Sequence, residues 1–313
     1  MKRRWPALLL LLAGGALAFA QAPQRTPPPL SFGTGIEVIN LTVSVTDPRS
    51  HYVTDLGEKD FTVFEDGVKQ DLSLFTHENL PISLALMIDT SASMDEKLSQ
   101  AQAAALRFVK TLRPQDLAEV VQFNDRSLVL QDFTADQVAL EAAIKRTEAS
   151  GPTSLHNALY VALKELEKQK KAGELRRRAV VLLSDGEDTM SIVSEDQLIE
   201  LARKTEIAIY AISLRSNRRS DRDRQFSQAA HLFTVLTRET GGQVHFPASL
   251  SELDAVYDRI AEELRTQYNL GYISNNKRRD GKWRRIVVRV AAHDELQVRH
   301  KIGYYAPTTP AGS

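Results

Sequence analysis

The chain has 313 residues, 42% of them apolar, with 40 basic and 40 acidic side chains that cancel to zero formal charge, and no cysteine. That length holds one large domain plus a smaller one, and the apolar fraction builds a sizeable core, which excludes global disorder. Zero net charge gives no global field to draw nucleic acid or an anionic membrane, and the missing thiols exclude disulfides, a cysteine-linked lipid anchor, thiol catalysis and cysteine-ligated zinc.

The N-terminus reads as a secretory signal peptide over residues 1–20. Lys2, Arg3 and Arg4 form a positive start, an apolar stretch follows over residues 7–17, and Ala18-Phe19-Ala20 supplies a small-x-small cleavage site. The stretch is shorter than the roughly 20 apolar residues of a spanning helix. The expectation is an exported chain (periplasmic, secreted or at the cell surface) with no membrane span after cleavage, an uncleaved anchor being the alternative. Residues 21–35 contain Pro27, Pro28 and Pro29 and read as an extended linker.

Residues 36–78 follow a period of two. Leu41, Val43 and Val45 alternate with polar neighbours, as do Phe61 and Val63, and Leu72 and Leu74 continue beyond the turn signal Asp66-Gly67. Ile36 and Val38 sit in the opposite phase, which predicts a bulge near Ile39.

Over residues 79–267 strands and helices alternate. Continuous apolar runs at 82–88, 117–123, 179–183 and 207–214 predict strands buried on both faces, with a short edge strand at 127–131. Between them lie amphipathic helices: one carries Leu98, Ala101, Ala105, Phe108 and Leu112, another Leu155, Leu159, Ala162 and Leu166, a third Leu250, Leu253, Val256, Ile260 and Leu264. Ser249 with Glu252, and Ser194 with Gln197, predict capping boxes. The pattern implies a doubly wound α/β domain with a mainly parallel sheet and helices on both faces.

Residues 268–305 return to a period of two, with Leu270 and Tyr272, then Ile286, Val288 and Val290, then Leu296 and Val298, before a short tail at 306–313. Either β segment alone leaves an apolar face wet, so the two ends of the chain are expected to pack into one β-sandwich around the inserted α/β domain. His293 and His300 flank the last strands and read as surface residues, and Arg176, Arg177 and Arg178 as caps on a helix end.

Three loops at strand ends carry the chemistry. The run at 82–88 stops at Asp89, Ser91 and Ser93; Thr153 lies in a Gly-Pro-Thr-Ser loop; Asp185 ends a later strand. Ligands of doubly wound sheets bind beyond the carboxyl ends of the strands, and in an extended segment residues two apart point the same way. The five side chains offer hard oxygen donors, which suit Mg²⁺, with Mn²⁺ or Ca²⁺ as alternatives. Two of them are carboxylates, which leaves such an ion electron-poor and open to a carboxylate from a partner protein.

These residues carry a resemblance. Asp89-Thr90-Ser91-Ala92-Ser93, then Thr153, then Asp185, with the surrounding ALMIDTSASM, GPTSL and LLSDGEDT and the Thr-Gly-Gly at 240–242, resemble the metal-ion-dependent adhesion site of von Willebrand factor type A domains over residues 80–267. The flanks DFTVFEDG, GKWRRIVVRV and GYYAP resemble a bacterial exported subfamily. The resemblance implies a central sheet with helices on both faces. It also implies metal contacts from Ser91, Ser93 and Thr153, with Asp89 and Asp185 holding the ion largely through water. Its known activity is adhesion and protein binding, not turnover. Ala92 and Pro152 stand where the family often has glycine, which stiffens those loops without removing a ligand.

Rim positions His156, Glu187, Arg215 and Arg218 are candidate partner contacts, although a structural His156 and a solvated loop at 215–224 are the plainer readings. Two other classes stay open. One is a metal-dependent hydrolase or phosphatase with Asp89 as nucleophile, weakened because Ser91 stands where such enzymes carry a second acid. The other is a metal-independent scaffold of the cell envelope.

Overall fold

The computed structural model describes residues 38–77, 80–170, 176–185, 188–214, 225–291 and 295–308. The signal-peptide and linker readings, Glu187, Arg215, Arg218 and His293 lie outside the described residues. In chain order the elements are β1 (Ile39–Thr46), β2 (Phe61–Glu65), β3 (Val68–Gln70), β4 (Leu72–Thr76), β5 (Ile82–Asp89), α1 (Asp95–Lys110), β6 (Leu117–Phe123), β7 (Ser127–Thr134), α2 (Gln137–Lys145), α3 (Leu155–Lys168), β8 (Arg177–Ser184), α4 (Glu195–Lys204), β9 (Ile207–Ser213), α5 (Gln225–Thr240), β10 (Val244–His245), α6 (Leu253–Thr266), β11 (Tyr268–Tyr272), β12 (Trp283–Val290), β13 (Gln297–Arg299) and β14 (Gly303–Tyr305). No helix among the described residues is long and apolar enough to cross a membrane.

The central sheet has the order β10-β9-β8-β5-β6-β7, parallel except for β7 at one edge. Every residue of β5 is buried. Leu84, Leu86 and Ile88 pack with α1, α2 and α6 on one face, and Ala85 and Met87 with α3 and α4 on the other, so an unbroken apolar run is what two covered faces require. The chain leaves β5 toward β6 and later returns to its other side as β8, which makes the carboxyl end of β5 the topological switch point.

The flanking strands form two further sheets, β13-β1-β11-β4 and β14-β12-β2-β3, each mixing strands from both ends of the chain. Leu41, Val43, Phe61, Val63, Tyr268, Leu270, Ile286 and Val288 fill one core between them. Asp66 and Gly67 both have positive φ, 48° and 83°, as a type I′ hairpin turn demands.

Four local expectations need correction. β1 pairs regularly with β11 from Ile39 to Val43, and the irregularity lies instead between Gly271 and Tyr272, opposite β4. The Ser194–Gln197 capping box forms, but Ser249 precedes a 3₁₀ turn and its hydroxyl meets Ser251, while the Glu252 carboxylate accepts from the Ala248 N–H. Arg177 and Arg178 lie within β8 and are buried; Arg177 does serve a helix end, that of α6, by donating to the Leu264 and Gln267 carbonyls. His300 is not a free surface group: its Nε2 accepts from the Val288 N–H at 3.1 Å and its Nδ1 faces the Lys301 carbonyl at 2.6 Å.

The α/β layer and the sandwich meet at a buried carboxylate. Glu263 of α6 is fully buried and takes hydrogen bonds from Ser44 of β1 (2.8 Å), Tyr52 (3.0 Å) and Tyr210 of β9 (2.9 Å), and an ion pair from Arg299 of β13. A buried charge without such partners costs several kcal/mol, so this joint holds one geometry. Nearby, Gly242 abuts β9 so closely that a Cβ there would sit 1.9 Å from the Ile209 oxygen, which accounts for the Thr-Gly-Gly motif together with Thr240, whose hydroxyl accepts from the Ile209 N–H. Gly242→Ala is expected to cost about 3 kcal/mol or more, roughly a 10 °C fall in melting temperature by calorimetry.

Burial holds His245 of β10 down at about 4, and His300 is lowered for the same reason. A depressed histidine is neutral in the fold and takes a proton on unfolding below about pH 6.5. Its contribution to stability is therefore complete above that pH and is lost as pH falls toward 4. Urea unfolding at pH 7 and pH 4.5 should show His245→Leu losing about 2 kcal/mol less than the parent between the two conditions.

Candidate functional site

β5 delivers Asp89, fully buried, to the carboxyl rim beside Ser184 at the end of β8. The Ser184 hydroxyl donates to Asp89 Oδ2 at 2.5 Å, and the Ser91 N–H donates to Oδ1 at 2.9 Å. Thr90 is pinned to the end of β6, its N–H and hydroxyl both donating to the Phe123 carbonyl. The backbone then turns: Ser91 is extended, and Ala92–Met94 form a 3₁₀ turn whose buried Met94 anchors the start of α1. Ser91 and Ser93 bring their hydroxyls to 3.1 Å through this turn, not through the straight alternation expected of extended chain.

The loop bearing Thr153 is sewn onto the first. The Ser150 N–H donates to the Thr90 carbonyl (2.7 Å), and the Ala92 N–H to the Gly151 carbonyl (2.9 Å). Gly151 adopts φ of +70°, which suits glycine. Asn124 clamps the loop from beneath, its Nδ2 donating to the Ser150 carbonyl and its own carbonyl accepting from the Ser154 N–H. Thr153 is 3% exposed.

Asp185 completes the rim at 4% exposure. Lys97, in the first turns of α1, reaches its Oδ2 with Nζ at 3.1 Å, while the buried Oδ1 has no hydrogen-bond partner among the described residues. Asp89, Ser91, Ser93, Thr153 and Asp185 are thus gathered at one end of the sheet.

Two carboxylates in one buried rim repel each other and lack water. Burial pushes the Asp89 carboxyl up to about 6; the Ser184 and Ser91 hydrogen bonds oppose that and the Asp185 charge adds to it. The arrangement calls for positive charge, and Lys97 supplies one unit at one oxygen only. Among the described residues no group of three or more His, Asp or Glu side chains could hold a metal, so a cation here would depend on the hydroxyls. The orphaned Asp185 oxygen, the protonation-prone Asp89 and the paired serine hydroxyls form a hard-oxygen set that fits a small dication.

Of the predicted partner contacts, His156 works from behind. Its side chain is 16% exposed and its Nδ1 lies 3.1 Å from the Val193 carbonyl and 3.6 Å from Asp188, holding the loop after β8 in place. Sequence reading missed Lys97, Ser184 and Asn157. Ser184 adjoins Asp185, but only strand register shows that it faces Asp89, and nothing local marks Lys97 as a partner of an acid 88 positions away.

Residues 84–187 match the family model described as von Willebrand factor type A domain. The chain is 32% identical over 112 residues to an uncharacterized protein of Synechocystis, covering 35% of this chain and 26% of that protein. It is 28% identical over 130 residues to inter-alpha-trypsin inhibitor heavy chain H1 of Sus scrofa, covering 39% of this chain and 14% of that one. The match thus spans well under half of either relative. Among solved structures, proximal thread matrix protein 1 of the mussel byssus, determined with a zinc-occupied MIDAS motif, aligns with a TM-score of 0.49 at 16% identity over 64% of this chain and 49% of that one. Residues 84–187 thus match a von Willebrand factor type A domain, and the six-stranded sheet with helices on both faces, which extends beyond that segment, is consistent with the fold of such domains.

If the hydrogen bond from Ser184 is what restrains the Asp89 carboxyl, Ser184→Ala should raise its titration midpoint by about one pH unit in ¹³C NMR of the metal-free chain.

Proposed function

We propose that this von Willebrand factor type A domain is an exported, metal-dependent protein-binding module that captures an acidic residue of a partner protein. The carrying observation is the rim itself: two nearly inaccessible carboxylates beside the Ser91–Ser93 hydroxyl pair and Thr153, with Asp185 Oδ1 left unpaired among the described residues. Asp89, Ser91, Ser93, Thr153 and Asp185 would hold Mg²⁺, or Mn²⁺ or Ca²⁺ in its place. When bound, such an ion supplies a Lewis-acidic position open to an outside carboxylate.

The protein's own part is to pre-shape the site. Ser184 and the Ser91 N–H fix the Asp89 carboxylate, the 3₁₀ turn fixes the two serine hydroxyls, and Asn124 and Gly151 fix the loop of Thr153. Only two of the five donors carry charge, and Lys97 offsets part of that, so the site does not neutralise a dication by itself. A partner carboxylate completes the charge balance.

The same geometry speaks against Asp89 as a nucleophile. The side chain is fully buried and each oxygen is already held by a hydrogen bond, which suits a carboxylate that steadies an ion and not one free to attack a substrate.

Isothermal titration with Mg²⁺ or Mn²⁺ should show one site, lost in Asp89→Ala and Asp185→Ala. At a free metal concentration near one hundred times Kd the folded chain should gain about 2.7 kcal/mol over an EDTA-treated sample. A melt indifferent to both Mg²⁺ and EDTA would count against the reading. Lys97→Met, which removes the competing ammonium, is expected to tighten metal binding about tenfold in the same titration.

A further inference from the structure

We infer that residues 188–193 form an apolar second half of the binding surface, so that the partner presents a large aliphatic or aromatic side chain a few residues from its carboxylate. This rests on the metal-dependent reading of the rim and adds the partner's chemistry to it.

Met190 and Ile192 are 56% and 93% exposed. Scattered exposed apolar residues are ordinary. These two are held out by a loop that is fixed on its inner side. Thr189 and Met190 both donate their N–H to the Thr153 carbonyl, at 2.9 and 3.1 Å, and the Thr153 N–H donates to Thr189 Oγ1 at 3.1 Å. Asn157 Oδ1 accepts from the N–H of Ile192 and of Val193, at 3.1 and 3.0 Å, and the Asn157 N–H donates to Ser191 Oγ at 3.1 Å. Val193 packs against the α3 side of the core, and His156 meets its carbonyl. Ser191 and Val193 therefore turn inward, and Met190 and Ile192 turn outward.

The loop is continuous with the candidate metal centre. Met190 hangs from Thr153 in the loop before α3, and Ile192 from Asn157 in the first turn of α3. The one acid of this stretch does not face a visitor: Asp188 accepts from the Ser191 hydroxyl at 2.7 Å, lies beside His156 and is 16% exposed. Among the described residues of the loop, a partner bringing a carboxylate to the ion thus meets an apolar shelf whose one acid is turned away. Because the shelf is pre-organised, covering it orders little of this protein.

The test pans a random-peptide phage library on the full chain in Mg²⁺ and elutes with EDTA. Expected are peptides with Asp or Glu within about four residues of Leu, Ile, Met, Phe, Tyr or Trp. Synthetic copies should bind the Met190→Ser, Ile192→Ser double variant at least tenfold more weakly while its Mg²⁺ titration stays that of the parent, and should not bind Asp89→Ala at all. EDTA-eluted acidic peptides that bind the double variant as tightly as the parent overturn the shelf and leave the metal reading standing. Failure to enrich any EDTA-eluted peptide overturns both. A Mg²⁺-dependent dimer in sedimentation velocity that the double variant abolishes overturns the choice of a foreign partner in favour of a second copy.

Discussion

The parallel register of β5 against β8 is the constraint on which the rest depends. Pairing Ile88 with Leu183 carries the two chains off the sheet side by side, so Asp89 meets Ser184 and Asp185 follows within the same rim. Neither acid is in a place that a folding chain would choose for a charge. Both are nearly inaccessible to bulk water, and among the described residues they are met by the Ser184 hydroxyl and Ser91 N–H at Asp89 and by the Lys97 ammonium at Asp185. The apolar packing of β5 on both faces holds the strands in this register against the repulsion at their ends. The stability of the core is in this sense what keeps the rim electrostatically unsatisfied.

That rim is supported from a distance by the sandwich. α6 runs straight into β11 with only Gln267 between them, and Glu263 ties the helix to β1, β9 and β13 at once. Arg177 of β8, the strand that precedes Asp185, closes the end of the same helix. The inserted domain is therefore bound to its flanks by buried charge–hydrogen-bond networks, which demand one geometry, in addition to apolar contact, which tolerates several. A partner pulling on the rim would load β5 and β8, and through Arg177 and Glu263 that load reaches the strands formed by both ends of the chain.

Much of this architecture is legible in the sequence because it follows from periodicity. Continuous apolar runs mark doubly covered strands, and period-two segments mark the outer sheets. The five oxygen donors could be named because each ends such a run or sits in a Gly-Pro turn. What could not be read were facts of register and reach. The sequence does not say that β11 and β12, neighbours along the chain, part into different sheets, nor that the serines converge by a 3₁₀ turn. Ser249 has the spacing of a capping box, yet a 3₁₀ turn intervenes and frees Glu252 to bind the Ala248 N–H instead. Lys97 reads as an ordinary solvated lysine until the fold sets Asp185 in front of it. In each case the local signal is compatible with several answers, and a contact distant in sequence selects among them.

If the proposed reading holds, the two halves of the surface would divide the work of recognition between them. A cation that seizes a carboxylate offers affinity with little selectivity, since acids are abundant on protein surfaces. An apolar shelf offers selectivity with little affinity of its own, because two side chains bury too small an area to hold a partner. Joined through Thr153, whose backbone hangs the shelf and whose hydroxyl belongs to the candidate ion site, each corrects the weakness of the other. The acid must arrive with the right neighbour, and the neighbour is held only when the acid is seated. On the proposed reading Lys97 would sharpen this dependence: by occupying one oxygen of Asp185 it would weaken the hold on a dication, so that the partner's charge would complete the site. On this reading discrimination would reside at Met190 and Ile192, whose outward side chains are free to differ while Thr189 and the backbone of the loop keep Thr153 in place.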